Sequence, residues 1–304
     1  MSNNDYSRSY LGEADFSKEQ LKESNFSNCF LKSSDFSEAN IELCNFTEAE
    51  LSKACLYKIQ AIKASFHKAN LYKTNCNQGV FDEAILSNAK LDNVVSSRGS
   101  FKKADLNKAS IRRASFCEAT FAEANLSEAI FSLTDVSMSD FSGANFTGAT
   151  LEQSSFSRGD FTGAKLNNCI IDNANFIEAN FTNADFTNTI FSGEDSYFED
   201  AIFTGTCIEE DSIKYQAKYP DLLERIWKRV KQDPQALNME NWHSCDTTHC
   251  LAGWATYLTG EDGKKLEDKY STPLAGLILL GMDAYKYFYN DSESVRNWLK
   301  ELFN

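Results

Sequence analysis

The chain has 304 residues, with 30 Lys and Arg against 44 Asp and Glu, and a net charge of −14. This length suits two domains. No early segment joins a basic start to an apolar stretch of signal-peptide length, and the longest apolar run, at 274–282, is too short to span a bilayer. We therefore expect a cytoplasmic protein without a membrane span.

A hydrophobic residue returns at every fifth position from Leu11 to Phe191 without an insertion. Only Ala61, Cys76 and Ser96 among these 37 central positions are not large and apolar. Two residues before each centre lies a small residue, most often Ala, and the other three positions are mostly polar. A period of five fits neither a helix, with about 3.6 residues per turn, nor an alternating strand, so the five-residue unit is itself the structural element.

Segments such as Ala124-Asn125-Leu126 and Ala184-Asp185-Phe186 give the pattern A-[DN]-[LF]-x-x, which resembles the pentapeptide-repeat family. The resemblance covers about two thirds of the chain. It implies a right-handed quadrilateral parallel β-helix, in which four pentads make one coil and residues twenty apart stack. We therefore predict a lead-in at 1–10, a β-helix at 11–209 and an all-α domain at 210–304 that caps the open end.

This β-helix predicts specific stacks of core side chains. One of them joins four phenylalanines: Phe121, Phe141, Phe161 and Phe181. The small centres Cys76 and Ser96 are one coil apart and predict a thin place in the core, which we expect Phe81 and Phe101 to compensate. Six of the nine cysteines fall within the repeat, and four of these are at packing positions: Cys29, Cys44, Cys76 and Cys169. We therefore expect free thiols, as in a reducing cytoplasm.

The spacing breaks after Phe191 and resumes two residues late at Phe198, so Gly193 to Tyr197 should contain a bulge or corner. From residue 211 the pattern becomes helical. We predict four helices: one begins near Pro220, one ends at Gly260 after a cap at Asp246 or Thr247, one spans Thr272 to about Leu280, and one is capped by Asp291 or Ser292. Their apolar faces are Leu222, Leu223, Ile226, Trp227 and Val230; Cys250, Trp254 and Leu258; and Val295, Trp298, Leu299 and Leu302.

Charge is segregated along the repeat. Residues 51–113 carry twelve Lys and Arg against four Asp and Glu, whereas 114–213 carry two against 17. Cations at the same position of five consecutive pentads should circle the coils as a belt that runs from Lys53 to Lys73 and continues to Arg113. Glu83 lies between Lys63 and Lys103 in one stack, which favours a solvated salt ladder over a surface for nucleic acid or for an acidic partner. Direct nucleic-acid binding is not expected.

The family resemblance also implies a function for the acidic half, because some members protect DNA gyrase by imitating duplex DNA. Residues 114–191 hold ten acidic residues against Arg158 and Lys165. Duplex DNA carries one negative charge per ~1.7 Å, so this density is adequate. The candidate acidic residues are Asp140, Asp160, Glu118 and Glu178. The basic belt, the lack of loop insertions and the helical domain in place of a short dimerising tail all depart from those gyrase binders.

The segment from Trp242 to Trp254 is the densest cluster of chemically capable residues and holds two of the three histidines. It resembles a W-H-x-C-x-T-T-H-C-x-A-G-W signature of uncharacterised bacterial domains, which implies no assigned reaction. Three interpretations remain open: a zinc site, a cysteine nucleophile with a histidine base, or caps and helix packing, which we favour. The zinc ligands would be His243, Cys245, His249 and Cys250. The third histidine, His67, should simply face solvent.

We expect a non-catalytic protein-interaction scaffold that uses the charged outer faces of the β-helix and the C-terminal helical domain, with a protein as its partner. One alternative is a DNA-mimicking modulator of DNA gyrase or topoisomerase. Another makes the C-terminal domain a zinc-based or cysteine-based module, in a secreted effector. No cofactor is expected apart from zinc in that last alternative.

Overall fold

The computed structural model divides into two compact units, Met1–Phe186 with Gly193–Thr206, and Thr187–Ser192 with Cys207–Asn304. The first unit is a solenoid of pentads and the second is mainly helical. The structure describes residues 4–192, 198, 201–203, 206, 221–233, 237, 251–270, 272–280 and 292–303.

Each coil of the solenoid takes twenty residues and is joined to the next coil by parallel bridges. The residue before each centre pairs with the residue twenty positions later, from Asp5 with Asn25 to Lys165 with Asp185. The pentads therefore form four ladders, and we number them by their centres at every twentieth residue: ladder 1 from Leu11, ladder 2 from Phe16, ladder 3 from Leu21 and ladder 4 from Phe26. The right-handed quadrilateral shape stays a prediction, which four ladders per coil support.

On the later coils, ladder 1 lengthens into a five-stranded parallel sheet in the order β1-β2-β3-β4-β5. The register keeps the twenty-residue step, with Phe131 of β2 opposite Leu151 of β3. Side chains of ladder 1 therefore line up from coil to coil. The strands are β1 Ser110–Arg112, β2 Ile130–Ser132, β3 Thr150–Glu152, β4 Ile170–Asp172 and β5 Ile190–Ser192.

The second residue after each centre lies in a turn and adopts a left-handed backbone conformation. The φ angle is 61° at Lys53, 52° at Arg113 and 59° at Glu118. This conformation costs a residue with a side chain about 1–2 kcal/mol. The turn N–H is satisfied by the next coil, since Lys53 N donates to Tyr72 O over 2.8 Å. The turns of successive coils therefore stack, and their long side chains form columns on the surface.

The centres and the small residues before them form the core, as predicted. Phe121, Phe141, Phe161 and Phe181 are fully buried and stack in one column, with successive ring centroids 5.2, 4.9 and 4.9 Å apart. Burying a side chain of this size contributes roughly 1.5–3 kcal/mol. Stacking between neighbouring coils is therefore the main source of stability in the solenoid.

The small centres Cys76 and Ser96 are both buried. Ser96 Oγ donates to the backbone oxygen of Cys76 over 3.1 Å, so the buried hydroxyl is satisfied. Beside them on ladder 3, Phe81 and Phe101 stack with centroids 4.9 Å apart. The predicted compensation by these two phenylalanines stays a prediction, which their stacking supports.

The solenoid continues past the break with two additional residues. Asn180 bridges to Ile202, a step of 22 residues instead of twenty. Phe198 stacks on Phe176 and Phe203 stacks on Phe181, each at 5.1 Å between centroids. The predicted resumption at Phe198 is therefore confirmed, while the predicted bulge at 193–197 lies outside the described residues.

The second unit contains α1 Leu222–Gln232, α2 Leu251–Thr259, α3 Glu261–Tyr270, α4 Thr272–Leu280 and α5 Ser292–Phe303. The ends of α2 and α4 match the sequence prediction, and Gly260, at φ 61°, follows α2. The predicted caps at 246, 247 and 291 lie outside the described residues. Among the helices that the structure describes, none is long and apolar enough to cross a membrane.

Two details of the helical prediction are wrong. Helix α3 was not predicted, because its sequence is highly charged and few of its residues are apolar. Leu302 of α5 is 51% exposed and does not continue the buried face of Val295 and Leu299. Of the four tryptophans expected in the helical core, Trp227 and Trp254 are buried, at 9% and 1% exposed, Trp298 is half-buried, and Trp242 lies outside the described residues.

The buried cysteines give a first testable prediction. Burial raises the pKa of the Cys44, Cys76 and Cys169 thiols to about 12. Because the thiolate is the reactive form, we expect these three thiols to resist a maleimide at neutral pH in the native protein. Peptide mass spectrometry measures the labelling, with protein unfolded in urea as the control for full reaction. Labelling of Cys76 at the same rate in native and unfolded protein would contradict this assignment.

Candidate functional site

The predicted belt of cations is divided among the four ladders. Lys53 and Lys73 lie on ladder 1, Lys58 on ladder 2, Lys63 on ladder 3 and Lys68 on ladder 4. Each occupies the left-handed turn position, so its neighbours are the turn residues of the coil above and of the coil below. The nearest charged neighbour of each cation is therefore set by the residues twenty positions away.

Most cations of ladders 2, 3 and 4 meet a carboxylate at that distance in sequence. Arg98 donates to both carboxylate oxygens of Glu118, with Nε 2.8 Å from the nearer one. The predicted salt ladder is confirmed in part, because Lys63 lies 3.4 Å from Glu83, whereas Lys103 pairs with Glu123 instead. Between residues 51 and 113 the exceptions off ladder 1 are Lys58, whose ammonium lies 5.2 Å from the Tyr57 ring, and Lys102. The remaining pairs are Lys68–Glu48 at 3.7 Å, Lys103–Glu123 at 3.5 Å and Lys108–Glu128 at 3.4 Å.

Ladder 1 is different, because its cations make no ion pair among the described residues. Between residues 51 and 113 these cations are all exposed, and we call them the basic column: Lys53, Lys73, Lys90, Arg112 and Arg113. The sixth cation of ladder 1, Lys32, lies one coil before them and its charge lowers the pKa of Glu50. The ammonium of Lys73 lies 5.2 Å from the centre of the Tyr72 ring, within the range of a cation–π contact. The charge of the basic column is therefore available to another molecule.

The acidic residues beside the basic column are held by hydrogen bonds to neutral groups. Asp92 accepts from Ser110 Oγ at 2.7 Å and from the backbone N–H of Arg112 at 3.1 Å. Glu50 accepts from the backbone of Ser52 and from the side chain of Asn70. Burial alone would raise the pKa of Glu50, but these hydrogen bonds and the charge of Lys32 lower it below its usual value.

A shallow cavity of about 370 Å³ lies at the end of the basic column. It is lined by the guanidinium-bearing residues Arg112 and Arg113, by Tyr72 and Asn93, and by Asp92, whose carboxylate already accepts hydrogen bonds from Ser110 and from the backbone of Arg112. Arg side chains present planar, charged donors that bind carboxylates through two hydrogen bonds. The cavity combines this chemistry with an aromatic wall, which suits an acidic side chain of a partner.

The candidate acidic residues do not form a single surface. Asp140 and Asp160 bridge each other on ladder 3, and each accepts a hydrogen bond from the N–H two residues later, at 2.9 and 3.0 Å. Glu118 and Glu178 lie on ladder 2 and are paired with arginines. The hydrogen bonds and charge of Arg98 lower the pKa of Glu118, and Arg158 lowers that of Glu178 in the same way.

The ten acidic residues of 114–191 are likewise dispersed. Four of them are ion-paired: Glu118, Glu123, Glu128 and Glu178. The other six occupy all four ladders: Glu152 and Asp172 on ladder 1, Asp135 on ladder 2, Asp140 and Asp160 on ladder 3, and Asp185 on ladder 4. Charge density counted along the sequence therefore overstates the charge that any one side presents.

Of the residues singled out for possible chemistry, the structure describes His67 but not the candidate zinc ligands. His67 is half-buried and its Nδ1 lies 2.9 Å from Ser87 Oγ, so the prediction that it simply faces solvent is wrong. Its stacking partner twenty residues later supplies this contact. The candidate zinc ligands, which are His243, Cys245, His249 and Cys250, lie outside the described residues. Within the part of the chain that the structure describes, no group of three or more His, Cys, Asp or Glu could hold a metal ion.

Sequence reasoning selected Lys53, Lys73 and Arg113 and included Arg112 in the belt, but it missed Lys90 and the aromatic residue Tyr72. The signal was present in the sequence, since all of them belong to pentads of ladder 1. Sorting the charged residues by their position within a twenty-residue coil would have separated the basic column from the paired cations.

Comparison with known proteins agrees with this architecture. The chain matches the family of pentapeptide repeats in eight copies, over residues 7–42, 24–59, 62–95, 100–137, 137–172 and 160–193. No curated protein matches the chain.

Two solved structures are similar to the chain. One is HetL, a pentapeptide repeat protein involved in heterocyst differentiation regulation in the cyanobacterium Nostoc sp. strain PCC 7120, with 16% identity and a TM-score of 0.36 over 67% of this chain and 87% of HetL. The other is QnrB1, a plasmid-mediated fluoroquinolone resistance protein, with 17% identity and a TM-score of 0.30 over 74% of this chain and 97% of QnrB1. Because the family match covers more than half of the sequence and the bridged coils repeat every twenty residues, this chain belongs to the pentapeptide-repeat family.

Proposed function

We propose that this protein is a non-catalytic interaction scaffold, and that the basic column binds an acidic surface of a protein partner. The observation that supports this proposal is the difference between the ladders. Cations at the turns of ladders 2, 3 and 4 are mostly neutralised by carboxylates of the adjoining coil, whereas those of the basic column make no such pair among the described residues. Residues 210–304 form a separate helical domain in this proposal.

An acidic partner also accounts for the spacing of the charges. The turn cations Lys53, Lys73 and Arg113 stand on parallel coils, which repeat at about 4.8 Å. A partner with several carboxylates along one face could contact more than one of these cations at once. Such contacts would steer association and weaken with rising ionic strength.

Imitation of DNA is less well supported than this proposal. A mimic needs acidic side chains along a continuous side of the solenoid, at a density close to that of duplex DNA. The candidates Asp140 and Asp160 share a ladder, but Glu118 and Glu178 lie on another ladder and are paired with Arg98 and Arg158. We therefore propose an acidic protein partner ahead of DNA gyrase.

Co-purification from the native cell tests the proposal. The test variant combines Lys53→Gln, Lys73→Gln and Arg113→Gln. The control variant combines Lys63→Gln, Lys103→Gln and Lys108→Gln, which removes the same charge from the same turn position on other ladders. We expect the test variant to recover the partner about tenfold less, since three exposed charge contacts at up to ~1 kcal/mol each can exceed the ~1.4 kcal/mol of a tenfold change.

Quantitative mass spectrometry of the recovered proteins measures the effect. The partners lost only from the test variant should be acidic and should elute at raised salt from the wild-type protein. Equal recovery by both triple variants, or equal loss from both, would show that the basic column is not the contact surface.

A further inference from the structure

The cavity at the end of the basic column is lined by two rows of residues on ladder 1. The first row consists of the residues directly after the centres, and the second row consists of the turn residues. The lining comes from four successive coils and includes Tyr72, Asp92 and Arg112 of the first row, and Asn93, Arg113 and Leu133 of the second. Backbone hydrogen bonds join these coils, so the solenoid itself holds the two rows in place.

Neither guanidinium of the cavity is neutralised by an acidic side chain. The residues twenty positions from Arg113 are Asn93 and Leu133, so the adjoining coils offer it no carboxylate. Asp92 is twenty positions from Arg112, but no ion pair joins these two side chains among the residues that the structure describes. One oxygen of the Asp92 carboxylate already accepts two hydrogen bonds. Both guanidinium groups therefore keep donors for another molecule.

The charges at the cavity suit a dianion better than a carboxylate. The two arginines and Asp92 leave one positive charge, and Lys73 adds a second, because its ammonium lies 5.2 Å from the ring centre of Tyr72, which lines the cavity. A single guanidinium can bind both oxygens of a carboxylate, which would leave the second arginine unused. A phosphate monoester carries a charge of about −1.5 to −2 at pH 7 and three acceptor oxygens, enough to engage both arginines.

The neutral residues of the cavity also fit a phosphate on a side chain. Asn93 is half-buried, and its amide makes no hydrogen bond among the described residues, so it can donate to a phosphate oxygen. Tyr72 and Leu133 are 37% and 49% exposed, which leaves apolar surface for the chain that carries the phosphate. The volume of about 370 Å³ has room for both parts of such a ligand.

We propose that this cavity binds a phosphorylated side chain of the acidic protein partner. Arg112 and Arg113 donate to the phosphate oxygens, the amide of Asn93 donates a further hydrogen bond, and apolar atoms of the bound segment pack against Tyr72 and Leu133. Clusters of arginines are a recurring means of recognising phosphorylated segments. This inference rests on the function proposed for the basic column, and it adds that phosphorylation of the partner controls binding.

Isothermal titration calorimetry on the full chain tests the site with three acetyl-Leu-X-Leu amides, in which X is phosphoserine, glutamate or serine. We expect the phosphoserine peptide to bind at least tenfold more tightly than the glutamate peptide, because a dianion engages both arginines through charge-assisted hydrogen bonds. Arg112→Gln and Arg113→Gln should each weaken its binding several-fold. Arg98→Gln is the matched control and should leave it unchanged, since this arginine lies on ladder 2 and pairs with Glu118.

Equal affinity for the phosphoserine and glutamate peptides would overturn the inference. No binding of the phosphoserine peptide at millimolar concentration, or full affinity in both arginine variants, would also overturn it. These positions are exposed on the surface, so the variants should keep the fold of the solenoid.

Phosphatase treatment of the native cell extract separates this inference from the proposed function. We expect the treatment to lower recovery of the acidic partner by the wild-type protein several-fold. Recovery that is unaffected by phosphatase, yet is still lost from the triple variant of the basic column, would refute the phosphate site and leave the proposed function intact. Full recovery by the triple variant would instead refute the proposed function, and with it the partner assigned to the cavity.

Discussion

Replacing Phe141 with alanine should lower the free energy of unfolding of the solenoid by about 3–5 kcal/mol. Phe141 is fully buried and its ring stacks between those of Phe121 and Phe161, at 5.2 and 4.9 Å between centroids. It also meets the edge of the Phe146 ring of ladder 4 at 5.2 Å. The Phe156 ring of ladder 2 lies 5.9 Å away, so the substitution would leave a cavity that touches three coils and three ladders.

Urea unfolding followed by far-UV circular dichroism measures this loss. Hydrogen exchange of the peptides around residues 121–161 shows whether it is local, because neighbouring coils support one another. Phe141→Leu keeps most of the volume and should cost much less. Met138→Ala, at a side chain that is 48% exposed, should change stability by less than about 0.5 kcal/mol. A loss below about 1 kcal/mol in Phe141→Ala would refute the continuous aromatic stack.

The core of the solenoid could be predicted because one short spacing determines it. A centre such as Phe141 and a small residue such as Ala144 recur at fixed positions, so the twenty-residue step between coils follows from four pentads. The two additional residues before Phe198 could also be located, since the next apolar centres Phe198 and Phe203 are displaced by the same amount.

The functional surface was predicted less well, because the sequence orders charges along the chain and the fold orders them by ladder. Lys53 and Lys63 occupy equivalent turn positions, yet only Lys63 has a carboxylate twenty residues away, at Glu83. A count along the sequence treats Glu118 as free negative charge, whereas in the fold it pairs with Arg98 of the preceding coil. Whether a charge is available depends on its neighbours across coils, which a count along the sequence does not include.

The helical unit shows a different obstacle. Helix α3 has few apolar residues, so its pattern indicates a solvated loop as readily as a helix. Gly263 of α3 is buried where this helix meets α2. A Cβ atom at this position would overlap the backbone oxygen of Thr256 and the hydroxyl of Thr259, and would lie 2.6 Å from Thr256 Cα.

Gly263→Ala should therefore destabilise the helical unit by about 1–3 kcal/mol, as overpacking does in a close contact. The sign is diagnostic, because alanine in place of glycine inside a helix otherwise stabilises it by roughly 0.5–1 kcal/mol. The Thr259 hydroxyl has little freedom to yield, since it donates to Ala255 O at 2.8 Å.

Tryptophan fluorescence during urea unfolding measures this change in the full chain. All four tryptophans lie between Trp227 and Trp298, so the signal reports on the helical region alone. Lys264→Ala is the matched control, because its side chain is exposed on the same helix and should leave the midpoint nearly unchanged. A rise in the midpoint for Gly263→Ala would mean that α2 and α3 do not approach each other closely at this glycine.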